Sequence, residues 1–280
     1  MTGKPAWIRR PFRHTDEMAA TEGLLARLGL NTVCREALCP NYTECFSRHT
    51  ATIMILGARC TRDCRFCNVE GGAPEAVDPG EPARVGEAAA ALGLSYLVVT
   101  SVTRDDLPDG GAAQFAETIR QIRAQSPGTA VEVLVPDFRG DAGALLAVAA
   151  AGPDVISHNM ETVEERYEAV RPGADYRRSL ELIARIPAPI HRKSGVMVGI
   201  GETRAQLDRL FDDLRGAGCA FLTIGQYLSP SKAHLPVSEY LPPEDFDELA
   251  RAAYAKGFEF VASAPFVRSS YHAGEALGRG

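Results

Sequence analysis

The chain is short of positive charge: 30 lysines and arginines stand against 36 aspartates and glutamates, for a formal net charge of −6. A basic footprint that would grip phosphate backbones is therefore absent, and no nucleic-acid partner is expected. Long apolar runs are missing too. The longest, at residues 144–151, falls far below the roughly 20 residues that a membrane-spanning helix needs, so no membrane partner is expected. Residues 1–14 include basic side chains with no apolar run behind them. They do not read as an export signal, and the cytoplasm is the expected location. Repeats and low-complexity tracts are also lacking. What remains, 45% hydrophobic and 24% charged over 280 residues, is the profile of a core-forming globular protein.

Cysteine is nearly absent from most of the chain. Six of the seven fall between Cys34 and Cys67. A disulfide framework calls for an exported, usually smaller chain. In a reducing compartment, clustered cysteines point instead to metal. Cys219 stands alone and reads as a small buried residue.

Downstream of residue 48, apolar runs alternate with amphipathic segments. Strands are expected at 52–57, 96–100, 130–135, 155–157, 196–200, 221–226 and 258–262. Helices are expected at 83–92, 112–125, 142–150, 176–185, 204–217 and 244–256, with one more at 16–28 ahead of the alternation. Near-continuous apolar strands between amphipathic helices imply a parallel α/β architecture. About six units favour a partial (β/α)6-type TIM barrel over an open sheet. The expected division is an N-terminal extension (1–48), the barrel (49–263) and a C-terminal segment (264–280). In such a barrel function gathers where strands run out into loops. Cys60–Cys67, 101–106, 158–161 and 199–202 all fall there, predicting one shared site at the mouth. A proline-containing loop, 230–243, is expected to cover it. The glycines of 199–202 would allow backbone to approach a ligand.

Cys60, Cys64 and Cys67 form C-x3-C-x2-C directly after the first strand. Thiolates suit iron–sulfur clusters and zinc. Three of them on a four-iron cube leave one iron without a protein ligand, an open position for chemistry. The stretch C-T-R-D-C-R-F-C resembles the signature of the radical S-adenosylmethionine (SAM) superfamily. The resemblance implies a 4Fe–4S cluster on these cysteines, SAM on its open iron, and Phe66 near the adenine.

Cys34, Cys39 and Cys45 form a second group, C-x4-C-x5-C. Together with M-I-L-G-x-x-C-T-R, T-S-V-x-R-D-D-L-x-D-G-G, H-N-x-E-T-V, K-S-G-x-M-x-G-x-G-E, Q-Y-L-x-P and R-S-S-Y-H-A, it is similar to the lipoyl synthase family over most of residues 34–273. Phe46 stands where that pattern carries tryptophan. The resemblance implies a second, auxiliary 4Fe–4S cluster on Cys34, Cys39 and Cys45, with Ser270 as its fourth ligand. It implies SAM contacts among Ser101, Arg104, Asp105, Asn159 and Glu161, with Arg178 or Lys193 for the methionine carboxylate. Asp106 lies in the same stretch.

The activity implied is that of a sulfurtransferase that places sulfur at C6 and C8 of a protein-bound octanoyl-lysine. The partners implied are octanoylated lipoyl carrier domains (dehydrogenase E2 subunits or the glycine-cleavage H protein), a ferredoxin or flavodoxin-type reductant, and an iron–sulfur carrier protein. Arg35, Arg48, Arg59, Arg62 and Arg65 crowd the cluster loops and would steer an acidic carrier. Three rivals remain: another radical sulfur-inserting enzyme like biotin synthase, a non-catalytic electron-transfer or cluster-carrier protein, and a zinc-stabilised binding module. The biotin synthase pattern lacks the C-x4-C-x5-C group.

Overall fold

The structure, a computed structural model, describes residues 4–8, 15–48 and 51–279. Most of the basic N-terminal stretch, 1–3 and 9–14, lies outside them. Thr15 caps the first helix, α1 (Asp16–Arg27), by accepting from the Met18 amide. A two-residue strand, β1 (Asn31–Thr32), follows. Two short helices, α2 (Val33–Glu36) and α3 (Tyr42–Ser47), complete the extension.

The barrel begins with β2 (Thr52–Ile55), every residue of which is buried. A small ladder, β3 (Arg59–Cys60) with β4 (Glu70–Gly71), ties off the loop beyond it. There follow α4 (Glu81–Leu92), β5 (Tyr96–Ser101), α5 (Ala112–Gln125), β6 (Ala130–Leu134), α6 (Ala142–Ala150), β7 (Val155–Ser157), α7 (Tyr167–Val170) and α8 (Tyr176–Arg185). The series closes with β8 (His191–Val198), α9 (Arg204–Gly216), β9 (Phe221–Gln226), α10 (Pro243–Ala255) and β10 (Phe260–Ala264). The sheet order is β1-β2-β5-β6-β7-β8-β9-β10. From β2 to β10 every pairing is parallel, and only β1 runs antiparallel, against β2. This is the expected partial barrel, unclosed between its first and last strands.

Local chemistry places the helices. Asp141 and Asp175 cap α6 and α8, and a Thr203–Gln206 capping box starts α9. Such caps satisfy amides that the first turn leaves unpaired. No helix among the described residues is long and apolar enough to cross a membrane.

β8 begins at His191, not at 196. Its first residues, H-R-K-S, are polar, and buried partners admit them to the sheet. Lys193 is 1% exposed and pairs with Glu132 at 2.8 Å. Tyr96 donates to the same Glu132 oxygen at 2.6 Å. Breaking a buried pair strands a charge, so these three side chains hold one another in place.

The C-terminal segment runs down the open seam. Near the mouth, the Pro265 carbonyl accepts from Gln226, and the Phe266 carbonyl accepts from Asn41 Nδ2 at 2.7 Å. Tyr271 and His272 then reach Glu44 on α3. Finally Ala276 and Leu277 pack among Val155, Ala220, Phe221 and Phe260, residues at the starts of their strands. The segment thus spans the barrel from mouth to base.

Candidate functional site

After β2 the chain turns through two left-handed residues, Leu56 (φ 70°) and Gly57 (φ 91°), into the Cys60 loop. Cys60 Sγ accepts from the Thr103 amide at 3.3 Å and the Arg62 amide at 3.4 Å. Thr61 bonds to the Thr103 carbonyl through both its amide and its hydroxyl. Arg62 grips Asp105 with two bonds, of 2.7 and 2.9 Å, and Asp137 with one of 2.6 Å. From the other side, the loop at 230–243 lies on this turn. Leu235 donates its amide to the Arg65 carbonyl, and His234 Nε2 meets the Cys67 carbonyl at 3.1 Å.

Cys60, Cys64 and Cys67 lie close together, and the proton affinities of Cys64 and Cys67 are raised. Burial is the larger cause, pushing Cys67 up to about 12, while Arg171 pulls Cys64 partly back. A metal must displace these protons to bind. No three such side chains among the described residues converge on a point fit for a single ion.

The lumen beside this loop holds buried polar atoms with no protein partner: Ser101 Oγ, Ser157 Oγ, His158 Nε2, Asn159 Oδ1 and Arg171 Nε. Buried polar groups are normally paired, so five orphans near one mouth mark the seat of a polar ligand. Donors and acceptors together match a molecule with an amino acid end and a ribose, as SAM has. Asn159 also donates to Glu161 at 3.0 Å. Gly195 makes room for it: a Cβ there would lie 2.8 Å from Asn159 Oδ1. Glu161 is held at φ 65°, a strained conformation for a side-chain-bearing residue and common at binding sites. Burial raises its carboxyl, and Arg171 offsets part of the rise.

Arg171 is the residue that sequence reasoning missed. It is 9% exposed and donates to the Asn159 carbonyl at 2.8 Å and to Tyr167 Oη at 2.6 Å. Only a lone cation in V-R-P-G signalled it.

Four other expected ligand contacts are engaged inside the protein instead. Arg104 binds Asp106 at 2.9 Å and the Leu56 carbonyl at 3.2 Å. Asp105 takes Arg62, and Arg178 takes Asp137 at 2.7 Å. Lys193, level with Ser157 across the sheet, takes Glu132 at 2.8 Å. Arg62, its side chain 7% exposed, is interior and cannot steer a carrier. Gly199 and Gly201 approach protein groups, not a ligand: the space a Cβ would take is filled by Gln226 and Glu239 at Gly199, and by Arg166 at Gly201. Phe66 packs with Val170, Ile200 and Tyr227. Cys219 is fully buried, with a thiol pushed up to about 12 by burial.

The second triad lies on the N-terminal extension. Because β1 is antiparallel to β2, Cys34 emerges beside Thr52, where β2 starts, while Cys60 follows its end. From there the loop returns toward the mouth: the Glu36 carbonyl, between Cys34 and Cys39, accepts from Asn68, beside Cys67, at 2.9 Å, and Asn41 reaches Phe266 beyond β10. Cys39 donates its amide to the Cys34 carbonyl, and Cys45 to that of Asn41. Phe46 is fully buried, with its ring 4.3 Å from that of Tyr42. Ser270 is delivered to this loop by the bonds on either side of it, Phe266 to Asn41 and Tyr271 to Glu44. Three thiols and a hydroxyl are a donor set that fits a second cluster.

His158 gives the site a measurable signature. Its Nδ1–H donates to the Val135 carbonyl at 2.8 Å, leaving Nε2 as a buried acceptor. Burial and then Arg171 lower its pKa from 6.5 to about 4. The unfolded chain therefore binds a proton that the folded chain refuses, and stability should fall as pH drops from 6.5 toward 4. In urea titrations over that window, His158→Asn should show a shallower loss than wild type. An identical slope would remove His158 as the cause.

Residues 54–214 match the model of the radical SAM superfamily. A lipoyl synthase of Methylococcus capsulatus is 55% identical over 275 residues, covering 96% of this chain and 85% of that protein. The lipoyl synthase of Alkaliphilus metalliredigens is 51% identical, over 98% of this chain and 96% of that one. In fold, the chain is similar to methylornithine synthase, with a TM-score of 0.52 at 13% identity over 89% of this chain and 84% of that one. It is also similar to Streptococcus suis SuiB, with a TM-score of 0.56 at 9% identity over 75% and 47%.

Proposed function

Because the chain belongs to the lipoyl synthase family of radical SAM enzymes, we propose that it inserts sulfur at C6 and C8 of an octanoyl chain held on a lysine of a carrier domain. The observation that carries this reading is the pair of cysteine triads on two loops that a bond from Asn68 to the Glu36 carbonyl joins. One lies beside buried polar atoms that have no protein partner, and the loop of the other is bonded to the C-terminal segment on either side of Ser270.

Cys60, Cys64 and Cys67 would hold the first cluster, and Cys34, Cys39, Cys45 and Ser270 the second. When bound, the first supplies the electron that cleaves SAM to a hydrogen-abstracting radical, and the second supplies sulfur. The chain's own residues position and shield. Ser101, Ser157, His158 and Asn159 offer the lumen hydrogen bonds, and Arg171 offers charge for a carboxylate. The loop at 230–243 keeps water from the Cys67 side. A non-catalytic cluster carrier would have no use for a lumen of unpaired donors and acceptors.

The partners proposed are octanoylated carrier domains of dehydrogenase E2 subunits or the glycine-cleavage H protein, a ferredoxin or flavodoxin-type reductant, and an iron–sulfur carrier. Arg35, Arg48, Arg59 and Arg65 are exposed around the two loops and suit an acidic carrier.

The test is mass spectrometry of an octanoyl-lysine peptide incubated anaerobically with the reconstituted protein, reductant and SAM. Exchange of two hydrogens for two sulfurs is expected, and an unchanged peptide contradicts the reading. Ser270→Cys refines it. Oxygen binds iron less firmly than thiolate does, so a cysteine there should lock the second cluster. SAM cleavage should persist while sulfur insertion falls by an order of magnitude or more. Insertion at the wild-type rate would show that a labile ligand is not required.

A further inference from the structure

A carboxylate outside every cysteine motif holds the first cysteine loop in register. Asp137 is 1% exposed and follows β6. One of its oxygens accepts from Arg62 at 2.6 Å, and the other accepts from Arg178 at 2.7 Å. Arg62 lies between Cys60 and Cys64 and also grips Asp105 beyond β5. The chain Arg178–Asp137–Arg62–Asp105 therefore joins α8, β6, the cysteine loop and β5 in one line of charge-assisted bonds.

The backbone around Asp137 is strained. Phe138, Arg139 and Gly140 are all left-handed, at φ 45°, 52° and 86°. Each left-handed residue with a side chain costs about 1–3 kcal/mol and persists only where its surroundings enforce it. Phe138 is pinned against Phe115 at 6.4 Å, edge to face. The Asp137 carboxylate folds back onto the Arg139 amide at 3.1 Å, and its carbonyl accepts from Gly140. The turn sets Asp137 where both guanidiniums can reach it. Burial opposes ionisation there, but Arg62 outweighs it and keeps the carboxyl well below its usual range.

We propose that Asp137 is a positioning residue: acting through Arg62, it fixes the Cys60–Cys64–Cys67 loop so that the open face of its cluster meets SAM in the lumen. The inference rests on the proposed function. Thr61 and Asp105 tie the loop to β5 alone, and Asp137 extends the tie to β6 and α8.

The experiment titrates SAM into anaerobically reconstituted wild type and Asp137→Asn. It reads the paramagnetic resonance of the reduced first cluster and the rate of 5′-deoxyadenosine formation. Losing one charged hydrogen bond predicts a KM for SAM raised roughly ten- to hundredfold. The fall in kcat should be smaller, with iron and sulfide contents as in wild type. The SAM-induced spectral change should need correspondingly more SAM. A wild-type KM overturns the proposal, as does a loss of iron or thermal stability with KM unchanged in the remaining loaded protein. Should Asp137→Asn not fold, Arg62→Lys tests the same tie and should raise KM. If both fold, the double variant should be no worse than the poorer single one. Additive losses overturn the tie. A wild type that shows no SAM-dependent change in its cluster signal would overturn the proposed function itself, and the tie with it.

Discussion

Replacing Cys64 with alanine should reduce SAM cleavage to the uncatalysed background while leaving the iron of the second triad in place. The first triad has no spare donor: Cys60, Cys64 and Cys67 are its only thiols, and Cys219 is buried on the far side of the barrel behind β8 and β9. With only two thiolates left, half of the cube's irons would lack a protein ligand, and the cluster is held too weakly to bind and reduce SAM. The two loops are anchored separately, the first by Arg62 to Asp105 and Asp137 and the second by β1 on β2, and that separation should keep the damage local. Iron analysis and 5′-deoxyadenosine assays check both halves. Wild-type cleavage, or loss of iron from both triads together, would contradict the separation.

Cys39→Ala should give the converse result. The first loop, with its bonds from Arg62 to Asp105 and Asp137, does not depend on Cys39. SAM cleavage should continue, but no sulfur should reach the octanoyl peptide, and desaturated or unmodified chains should accumulate instead. The expected loss of product is complete, because the second cluster is both reagent and binding partner. Any thiolated product above background would mean that sulfur comes from elsewhere. Cys64→Ala and Cys39→Ala together divide the reaction into the half that makes a radical and the half that spends it.

Much of this was legible in the sequence. The helices α5, α6 and α8 match their expected bounds, because apolar periodicity and an aspartate cap point the same way in two of them. The spacing of the cysteine groups points to two metal sites, and the resemblance adds which clusters and what chemistry. The strand ahead of the second group was not legible: β1 is two residues long, too short to carry a period, and is identified only by pairing with Ile53 and Met54. The start of β8 was hidden for a different reason. His191 to Ser194 look like a loop until Glu132 and Tyr96, distant in sequence, neutralise Lys193. The ion pairs of Arg104, Asp105, Arg178 and Lys193 were not legible, because a charged side chain at a strand end reads alike whether it meets a ligand or a neighbour. Arg171 was missed because a buried arginine, unlike a cysteine pair, leaves no spacing in the chain.

The account stands on the second triad's cluster being consumed as the sulfur donor. The most direct measurement is to reconstitute the protein with heavy-isotope sulfide, remove free sulfide, and allow a single turnover on the octanoyl peptide with SAM of natural isotope content. Both sulfurs in the product should be heavy. Light sulfur in the product would contradict the account.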